Sequence, residues 1–569
     1  MTTAVYLGVK DLSTIENVNP AAYERLTRRV QKVAHRGALE RIAVALGAAT
    51  VSLLFMIGPL VSPDHLTLYH LDGPAAPIFV PVALDVCLLW LVFWIVLTFA
   101  AKAAWLHNVL WAGIMLLFPW ILFKNCTRLG NWVSPEWISL MVLFLPSIVF
   151  VAAGCIFRGS RRSIFAVVQS FAARLLAFVA LVGVAALVQL LWFAYQARNL
   201  DATAAPLHHS QISVESFKRT RVIWILLDEL SYQQVFERRY PGMALPAFDH
   251  FAATATIFTE VIPAGMYTDV AVPSLFTGLP VDRLRVSAQG NLESLDDSGS
   301  DRWNPFDAHQ TVFQDALSRG YSTGIVGWYN PYCRILPEVL DRCFWTFRRT
   351  HPGGMVSDQS LESNLIDPIR HLPGDALFSL SKLTDQLPRR PMPMDQIREA
   401  QIHIHDYQDL FREADSLLAD PQVNFAFLHM PVPHPRGIYD RRLMKFSTGP
   451  SSYLDNLVLA DQYLAHVRSV LTQQGRWDSS VVIVMGDHSW RTALMWAKSP
   501  EWTKEEQAAS QGARFDARPV YMIKMPGQNA GSRIDAPFSA IHTRSLLDAV
   551  FSDRLHNADG LQSWAARQH

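Results

Sequence analysis

The feature that most limits the fold of this chain is a series of long apolar stretches confined to its first 195 residues. Each is close to the roughly 20 residues that an α-helix needs to cross a bilayer. A large buried helical core is the alternative, but five charge-poor runs in succession favour a membrane domain. We therefore predict five membrane-spanning helices, over Ile42–Val61, Ile78–Ala101, Ala103–Phe123, Trp137–Phe157 and Leu175–Tyr195.

Composition separates the chain into two unlike parts. The mean hydropathy of +0.13 is high for 569 residues, and the apolar excess lies before residue 196. Lysine plus arginine and aspartate plus glutamate both number 50, so the balance of charge gives no sign of a nucleic-acid partner. The length implies at least two domains. We predict a tail over residues 1–41, a membrane domain over 42–195, a linker over 196–220 and a globular domain over 221–569.

The distribution of basic residues predicts the orientation in the membrane. The tail before residue 42 carries seven lysines and arginines, whereas the loop over residues 62–77 has none. The positive-inside rule then places the N-terminus in the cytoplasm. With an odd number of spans, everything after Tyr195 lies outside the cytoplasmic (inner) membrane, in the periplasm or outside the cell.

From residue 221 onward, apolar runs of strand length alternate with helical patterns. Such alternation predicts an α/β domain with a mainly parallel central sheet covered on both faces. The segments 281–308 and 350–395 are richer in Pro, Gly, Asp and Ser, and we predict long loops or insertions there. The predicted strands are Val222–Leu227, Ser322–Gly327, Asn424–His429, Val481–Gly486 and Pro519–Met525, and the predicted helices are Gln310–Arg319, Ile397–Leu418 and Tyr453–Gln474.

Acidic and histidine side chains follow three of these strands. Ligands of parallel α/β sheets bind beyond the carboxyl ends of the strands, so these side chains are expected to converge on one site. Carboxylates and imidazoles suit Zn²⁺ or Mn²⁺, which predicts a metalloenzyme. The residues are Asp228 and Glu229 after the first strand, His429 and His434 around the end of the third, and Asp487 and His488 after the fourth.

Two further features bear on this domain. The segment Gly265–Gly278 holds Thr268 and Pro273, and Pro273 suits the first turn of a helix, where a hydroxyl can meet a metal and an anion. Cys333 and Cys343 lie ten residues apart in a domain predicted to face an oxidising compartment, which makes a disulfide plausible. Two unpaired thiols are the alternative, because spacing alone does not fix geometry.

From residue 221 to about residue 550, the chain resembles the alkaline phosphatase/sulfatase superfamily. It is most similar to membrane-bound phosphoethanolamine and phosphoglycerol transferases, including lipoteichoic-acid synthases, whose N-terminal spans it also resembles. Thr268 to Pro273 is similar to their Thr-x-x-Ser-x-Pro nucleophile segment, with Ala271 in place of the Ser. The spacing of His429 and His434 matches their His-x-x-x-x-His, and Asp487-His488-Ser489 is similar to their Asp-His-Gly.

The departures from these patterns restrict the chemistry. Sulfatases carry Cys-x-Pro-x-Arg, in which the Cys or Ser becomes formylglycine; Ala271 stands at that position, so the aldehyde cannot form. The transferases often have a further His about a dozen residues after Asp-His, and the stretch Trp490–Pro500 has none. We therefore expect one well-formed metal site, holding Zn²⁺ or alternatively Mn²⁺.

The resemblance implies a role for each candidate residue. Thr268 would be the nucleophile, activated by contact with the metal. His429 and His434 would bind phosphate or act as general acid and base. The metal would be held by Asp228, Asp487, His488 and the Thr268 oxygen, with Glu229 a lesser ligand, and Arg436 and Arg491 would contact phosphate unless they are surface charges.

The predicted function is a membrane-anchored, metal-dependent transferase. It would move phosphoethanolamine or phosphoglycerol from a phospholipid to an envelope glycan or lipid through a phospho-threonine intermediate. A phosphodiesterase or other sulfatase-like hydrolase that uses water is the first alternative. A catalytically silent membrane scaffold is the second, which the intact Thr268, Asp228, Asp487 and His488 disfavour.

Overall fold

A computed structural model of the protein describes most of the chain. The described residues are 37–62, 66–71, 73–128, 164–199, 207–208, 219–286, 292–296, 302–351, 355–356, 359–367, 394–499 and 501–568.

The first part of the described chain is helical. Two helices, Ala76–Ala100 and Phe165–Gln196, are long and apolar enough to cross a membrane. A third crossing is added if Gly37–Ser52 and Leu54–Leu60, which meet at a bend of 72°, count as one. The helix Ala104–Arg128 covers the third predicted span, but it is not among the helices that are long and apolar enough to cross a membrane. The predicted span Trp137–Phe157 and most of the predicted linker lie outside the described residues.

The chain divides into two compact units. One comprises Met1–Gly58 and Val82–Leu191, and the other comprises Pro59–Pro81 and Trp192–His569. The second, which we call the catalytic unit, therefore includes a segment between the first two predicted spans, with a short helix at Leu66–Tyr69. Cys333 and Cys343 form a disulfide within this unit, which confirms the predicted bridge.

An eight-stranded sheet forms the centre of the catalytic unit. The five strands from Val481–Met485 to Arg342–Thr346 run parallel, and Tyr521–Lys524 is antiparallel to both its neighbours. The sheet is thus mainly parallel, as predicted. Its strands lie in the order Ser532–Ile534, Thr256–Phe258, Tyr521–Lys524, Val481–Met485, Val222–Leu227, Phe425–Met430, Thr323–Trp328 and Arg342–Thr346.

The central strands are buried on both faces. All six residues of Val222–Leu227 are buried, as expected for an apolar run without alternation. Side chains such as Ile223 and Ile225 enter one hydrophobic core, whereas Trp224 and Leu226 enter the other. Helices cover these cores, at Pro246–Ala252, Thr268–Thr277, Val312–Ser318, Tyr332–Ile335, Met394–Ala419, Tyr453–Gln473, Lys504–Ala509, Thr543–Phe551 and Ala558–Ala565.

Residues 281–308, predicted as a long loop or an insertion, contain strands and not one long loop. The strands Val281–Val286, Leu292–Asp296 and Trp303–Pro305 form a small antiparallel sheet there. Val281, Leu284, Val286 and Leu292 are buried together against Tyr69, so contacts with a distant segment stabilise strands that the local composition did not suggest. Of the second predicted loop, residues 368–393 lie outside the described residues.

Candidate active site

Three neighbouring parallel strands bring the predicted side chains to one edge of the sheet. In the register of the strands, Leu226 lies opposite His429 on one side and opposite Met485 on the other. Asp228 therefore leaves the sheet beside His429, and Gly486, Asp487 and His488 continue from the third strand. The predicted convergence is what the structure shows: Asp228, His429, Asp487 and His488 are all completely buried.

The turn at Asp487 is held by its own carboxylate. Oδ1 accepts hydrogen bonds from the backbone N–H of Glu229 at 3.1 Å and of His488 at 2.8 Å. Gly486 makes this close approach possible, since a Cβ atom there would lie 2.8 Å from the carbonyl oxygen of Leu230. His488 Nδ1 lies 3.1 Å from the Ser489 carbonyl and donates to it, so Nε2 keeps its lone pair.

Thr268 is the first residue of the helix Thr268–Thr277, and its hydroxyl lies against this cluster. Its Oγ1 is 3.3 Å from Asp228 Oδ2 and 3.4 Å from His488 Nε2, and the residue is buried. The preceding residue, Tyr267, has an extended backbone and occupies the N-cap position of the helix. The N-terminus of a helix favours negative charge, so an ionised oxygen at Thr268 would be stabilised by its position.

The two buried carboxylates of the cluster have opposite pKa shifts. Burial and the neighbouring Asp487 raise the pKa of Asp228 well above its ordinary value. For Asp487, burial acts to raise the pKa, but the His488 and His429 imidazoles outweigh it and lower the pKa. A cation bound between the two carboxylates would favour the ionised form of both.

The donor set fits a divalent metal ion. Ligand atoms of Asp228, Asp487 and His488 all lie within 4.8 Å of one another, and so do those of Asp228, Glu229 and His434. Asp228 Oδ1 and His429 Nε2 are buried without a hydrogen-bond partner among the described residues. Buried polar atoms are normally satisfied, and a metal ion would satisfy these.

Glu229 is buried in an ion pair, although it was predicted as a lesser metal ligand. Arg491 Nη2 lies 2.5 Å from its Oε1, and Arg491 Nε donates to the same oxygen at 2.6 Å. Trp496 Nε1 donates to the carboxylate at 2.9 to 3.0 Å. Glu229 has a φ of 63°, a left-handed conformation that costs a non-glycine residue about 1 kcal/mol. In that conformation the backbone N–H of Glu229 points toward Asp487.

The two predicted histidines occupy different positions. His429 Nε2 lies 3.6 Å from Asp228 Oδ2, and burial lowers the pKa of His429 to about 4. His434 has 17% of its side chain exposed, and its Nε2 lies 3.5 Å from Arg491 Nη2. Burial, and then the Arg491 charge, hold the pKa of His434 well below its usual range. Both imidazoles are therefore neutral at pH 7.

The two predicted arginines differ as well. Arg491 is buried at the site, with its guanidinium 5.2 Å from the centre of the Tyr267 ring. Arg436 instead pairs with Glu399 and with Glu501, and none of its described ion pairs is with a predicted site residue.

Three further residues, Tyr332, Asn330 and Trp496, contact the site without having been predicted from the sequence. Tyr332 Oη lies 2.7 Å from His429 Nδ1, and Asn330 Nδ2 donates to Tyr332 Oη at 3.3 Å. Both residues follow the strand Thr323–Trp328, so the strand-end rule that located Asp228 would also have found them. Trp496 lies in a short 3₁₀ turn and left no comparable signal.

One comparison with known proteins supports this assignment of the fold. The model of the sulfatase family matches residues 220–543. No curated protein sequence matches the chain. Among solved structures, Ps i-CgsB in complex with k-i-k-neocarrahexaose aligns with a TM-score of 0.38 and 14% identity, over 59% of this chain and 72% of that one.

Two further solved structures align with similar TM-scores and identities. The phosphonate monoester hydrolase of Agrobacterium radiobacter gives a TM-score of 0.36 and 15% identity, over 58% of this chain and 74% of that one. The lipoteichoic acid synthase LtaP from Listeria monocytogenes gives a TM-score of 0.35 and 14% identity, over 62% of this chain and 77% of that one. Structural similarities as weak as these give no information about the substrate of this chain.

Proposed function

Because the chain belongs to the sulfatase family of metal-dependent enzymes, we propose that it transfers phosphoethanolamine or phosphoglycerol from a phospholipid to a glycan or lipid of the cell envelope. The observation that supports this best is the Thr268 hydroxyl, buried within 3.4 Å of both Asp228 and His488. Ala271, which stands where sulfatases form their aldehyde, is fully buried and has no reactive group. With an aldehyde excluded, the Thr268 hydroxyl is the candidate nucleophile.

Asp228, Asp487, His488 and the Thr268 oxygen are the residues that would hold the ion, Zn²⁺ or alternatively Mn²⁺. A divalent cation bound there would lower the pKa of a hydroxyl in contact with it. The helix N-terminus at Thr268 adds to that stabilisation. Glu229 and Arg491 compensate each other's charge next to this group, so the buried ion pair adds no net charge to the site.

The reaction has two displacement steps. The Thr268 hydroxyl loses its proton as its oxygen forms a bond to phosphorus, the bond from phosphorus to the lipid oxygen breaks, and the diglyceride leaves with that proton. An acceptor hydroxyl then attacks the phospho-threonine, and the bond from phosphorus to the Thr268 oxygen breaks. The acceptor's proton passes through a base to the Thr268 oxygen, which restores the hydroxyl. His434, which lies beside Arg491 with 17% of its side chain exposed, is the residue we assign to that second role.

The proposed location follows from the N-terminal part of the chain. Two apolar helices long enough to span a membrane, together with the basic residues before residue 42, support a multi-pass protein of the cytoplasmic membrane. With the N-terminus in the cytoplasm and the five spans predicted from the sequence, the catalytic unit would face the periplasm or the cell exterior. A disulfide between Cys333 and Cys343 agrees with an oxidising compartment.

The test is release of diacylglycerol by the purified full chain with Zn²⁺ or Mn²⁺, from phosphatidylethanolamine or phosphatidylglycerol. Thr268→Ala should abolish release, whereas Thr268→Ser should retain part of it because the hydroxyl survives. Peptide mapping of the trapped intermediate should find the added phospho-head-group on the peptide that contains Thr268.

Thr277→Ala is the matched control. It lies on the same helix, but its hydroxyl donates to the Pro273 carbonyl at 2.8 Å, away from the cluster. Full activity in Thr268→Ala would refute the nucleophile. If free head-group phosphate is released at the same rate whether or not an envelope acceptor is added, the hydrolase is favoured instead.

A further inference from the structure

The segment between the first two predicted spans forms part of the catalytic unit. Arg334 Nη1 donates to the Leu68 carbonyl at 3.0 Å, and Arg334 Nη2 donates to the Leu71 carbonyl. Asn364 Nδ2 donates to the Pro77 carbonyl at 2.9 Å. Tyr69, which is only 2% exposed, packs on the small antiparallel sheet that begins at Val281. The segment is therefore held by both polar and apolar contacts.

Tyr69 begins a buried chain of hydrogen bonds that ends at the candidate metal site. Its Oη donates to Asn330 Oδ1 at 2.9 Å. Asn330 Nδ2 donates to Tyr332 Oη at 3.3 Å, and Tyr332 Oη lies 2.7 Å from His429 Nδ1. Asn330, Tyr332 and His429 are completely buried, so water cannot replace a missing member of the chain without entering the core.

The surroundings of His429 fix which of its nitrogens carries the proton. The bond from Tyr69 occupies the amide oxygen of Asn330, so its NH₂ group faces Tyr332. The Tyr332 hydroxyl accepts that bond and can serve His429 Nδ1 as donor or as acceptor, so it does not select the tautomer by itself. The His429 imidazole also bonds to the backbone carbonyl of Trp328, which can only accept. Since Nε2 is without a hydrogen-bond partner among the described residues, the proton belongs on Nδ1.

The consequence is a lone pair directed at the acidic cluster. With Nδ1 protonated, His429 Nε2 presents its lone pair 3.6 Å from Asp228 Oδ2. We propose that Tyr69, Asn330 and Tyr332 are positioning residues that hold His429 for cation binding, so that the segment between the spans sets the metal affinity of the site. This inference rests on the cation site of the proposed function, not on the substrate or the group transferred.

The experiment measures the affinity of the purified, metal-depleted full chain for Zn²⁺ alone by competition with a chelating dye. Hydrogen-bond partners of metal-binding histidines typically contribute 10- to 100-fold to affinity. We expect Tyr332→Phe to weaken binding by about 10-fold or more, and Tyr69→Phe, which keeps the ring and its packing, by about 3- to 10-fold.

Tyr521→Phe is the matched control. It removes one buried hydrogen bond of 2.9 Å, to Thr543, in the same unit but without a link to the cluster. Its Zn²⁺ affinity should stay within about twofold of the wild type, and its melting temperature serves as the reference for the loss of one such bond. If Tyr332→Phe does not fold, Tyr69→Phe decides the outcome.

A double variant separates positioning from general packing. In a His429→Ala background, Tyr69→Phe should cause no further loss of Zn²⁺ affinity, since its effect acts through the imidazole. An equal loss in both backgrounds, or unchanged affinity in Tyr69→Phe and Tyr332→Phe, would overturn the proposal. A chain that binds Zn²⁺ with this pattern but releases no diacylglycerol would instead count against the proposed function alone.

Discussion

Replacing Glu229 with glutamine should destabilise the catalytic unit by about 3–5 kcal/mol, because it removes one partner of a buried ion pair. The Glu229 side chain is fully buried and that of Arg491 is 7% exposed. The carboxylate accepts bonds from Arg491 Nε and Trp496 Nε1, all at 3.0 Å or less. A neutral amide retains an acceptor oxygen but leaves the guanidinium charge uncompensated in the interior.

The change should be measured by urea denaturation of the full chain in detergent, followed through the fluorescence of the buried Trp224 and Trp490. Arg491→Met should also be destabilising, since it leaves a buried carboxylate unpaired. The Glu229→Gln, Arg491→Met double variant should be more stable than the sum of the single effects predicts, by about 1–3 kcal/mol.

The same variants distinguish a structural role for Glu229 from a role in metal binding. Because both oxygens of Glu229 are engaged, Glu229→Gln should retain bound Zn²⁺, whereas Asp487→Ala should lose it. Wild-type stability in Glu229→Gln would refute the ion-pair reasoning. Loss of Zn²⁺ as complete as in Asp487→Ala would restore Glu229 as a ligand.

Three other predictions concern topology, the disulfide and pH. A reporter fused after Tyr195 should be active only if it works outside the cytoplasm, and one fused before Arg41 only if it works inside; the reverse pattern would invert the orientation. Cys333 and Cys343 should resist alkylation until reduced, and their double replacement by alanine should reduce the unfolding free energy by at most about 3 kcal/mol, since the bridge spans only ten residues. Burial raises the pKa of Asp461 to about 6, above its unfolded value. The folded chain thus binds that proton more tightly, and this group should add up to about 3 kcal/mol of stability as the pH falls from 7 to 4; Asp461→Asn should lose that contribution, and an unchanged pH profile would contradict it.

The strands, and the clustering of the side chains that follow them, could be predicted from the local sequence. Val222–Leu227 is an unbroken apolar run, and the structure places a strand over the same six residues. Asp228, Asp487 and His488 could be brought together on paper because parallel strands share a carboxyl edge. Thr268 required the family resemblance, since a helix start with a hydroxyl is common.

The remaining features depend on contacts between distant parts of the chain. The pairing of Glu229 with Arg491 joins residues 262 positions apart. Arg436, predicted to contact phosphate, is engaged by two carboxylates that nothing in its neighbourhood of the sequence indicates. The small sheet at 281–305 forms in a segment rich in polar residues because Tyr69 covers its apolar side chains. In each case the partner is chosen by tertiary packing.

The catalytic unit is discontinuous along the chain, and this affects the order in which it can fold. The ribosome completes Pro59–Pro81 before it has made any residue of the central sheet. The bonds from the Tyr69 hydroxyl to Asn330 and from Arg334 to the Leu68 and Leu71 carbonyls cannot form until Asn330 and Arg334 have been synthesised. Assembly of the unit is therefore expected to finish with the early segment closing onto a sheet that is already formed. A protease that cuts between Gln196 and Arg219 would yield a fragment that contains the sheet but lacks Tyr69. In that fragment Asn330 loses its bond from Tyr69, and Arg334 loses its bonds to the Leu68 and Leu71 carbonyls.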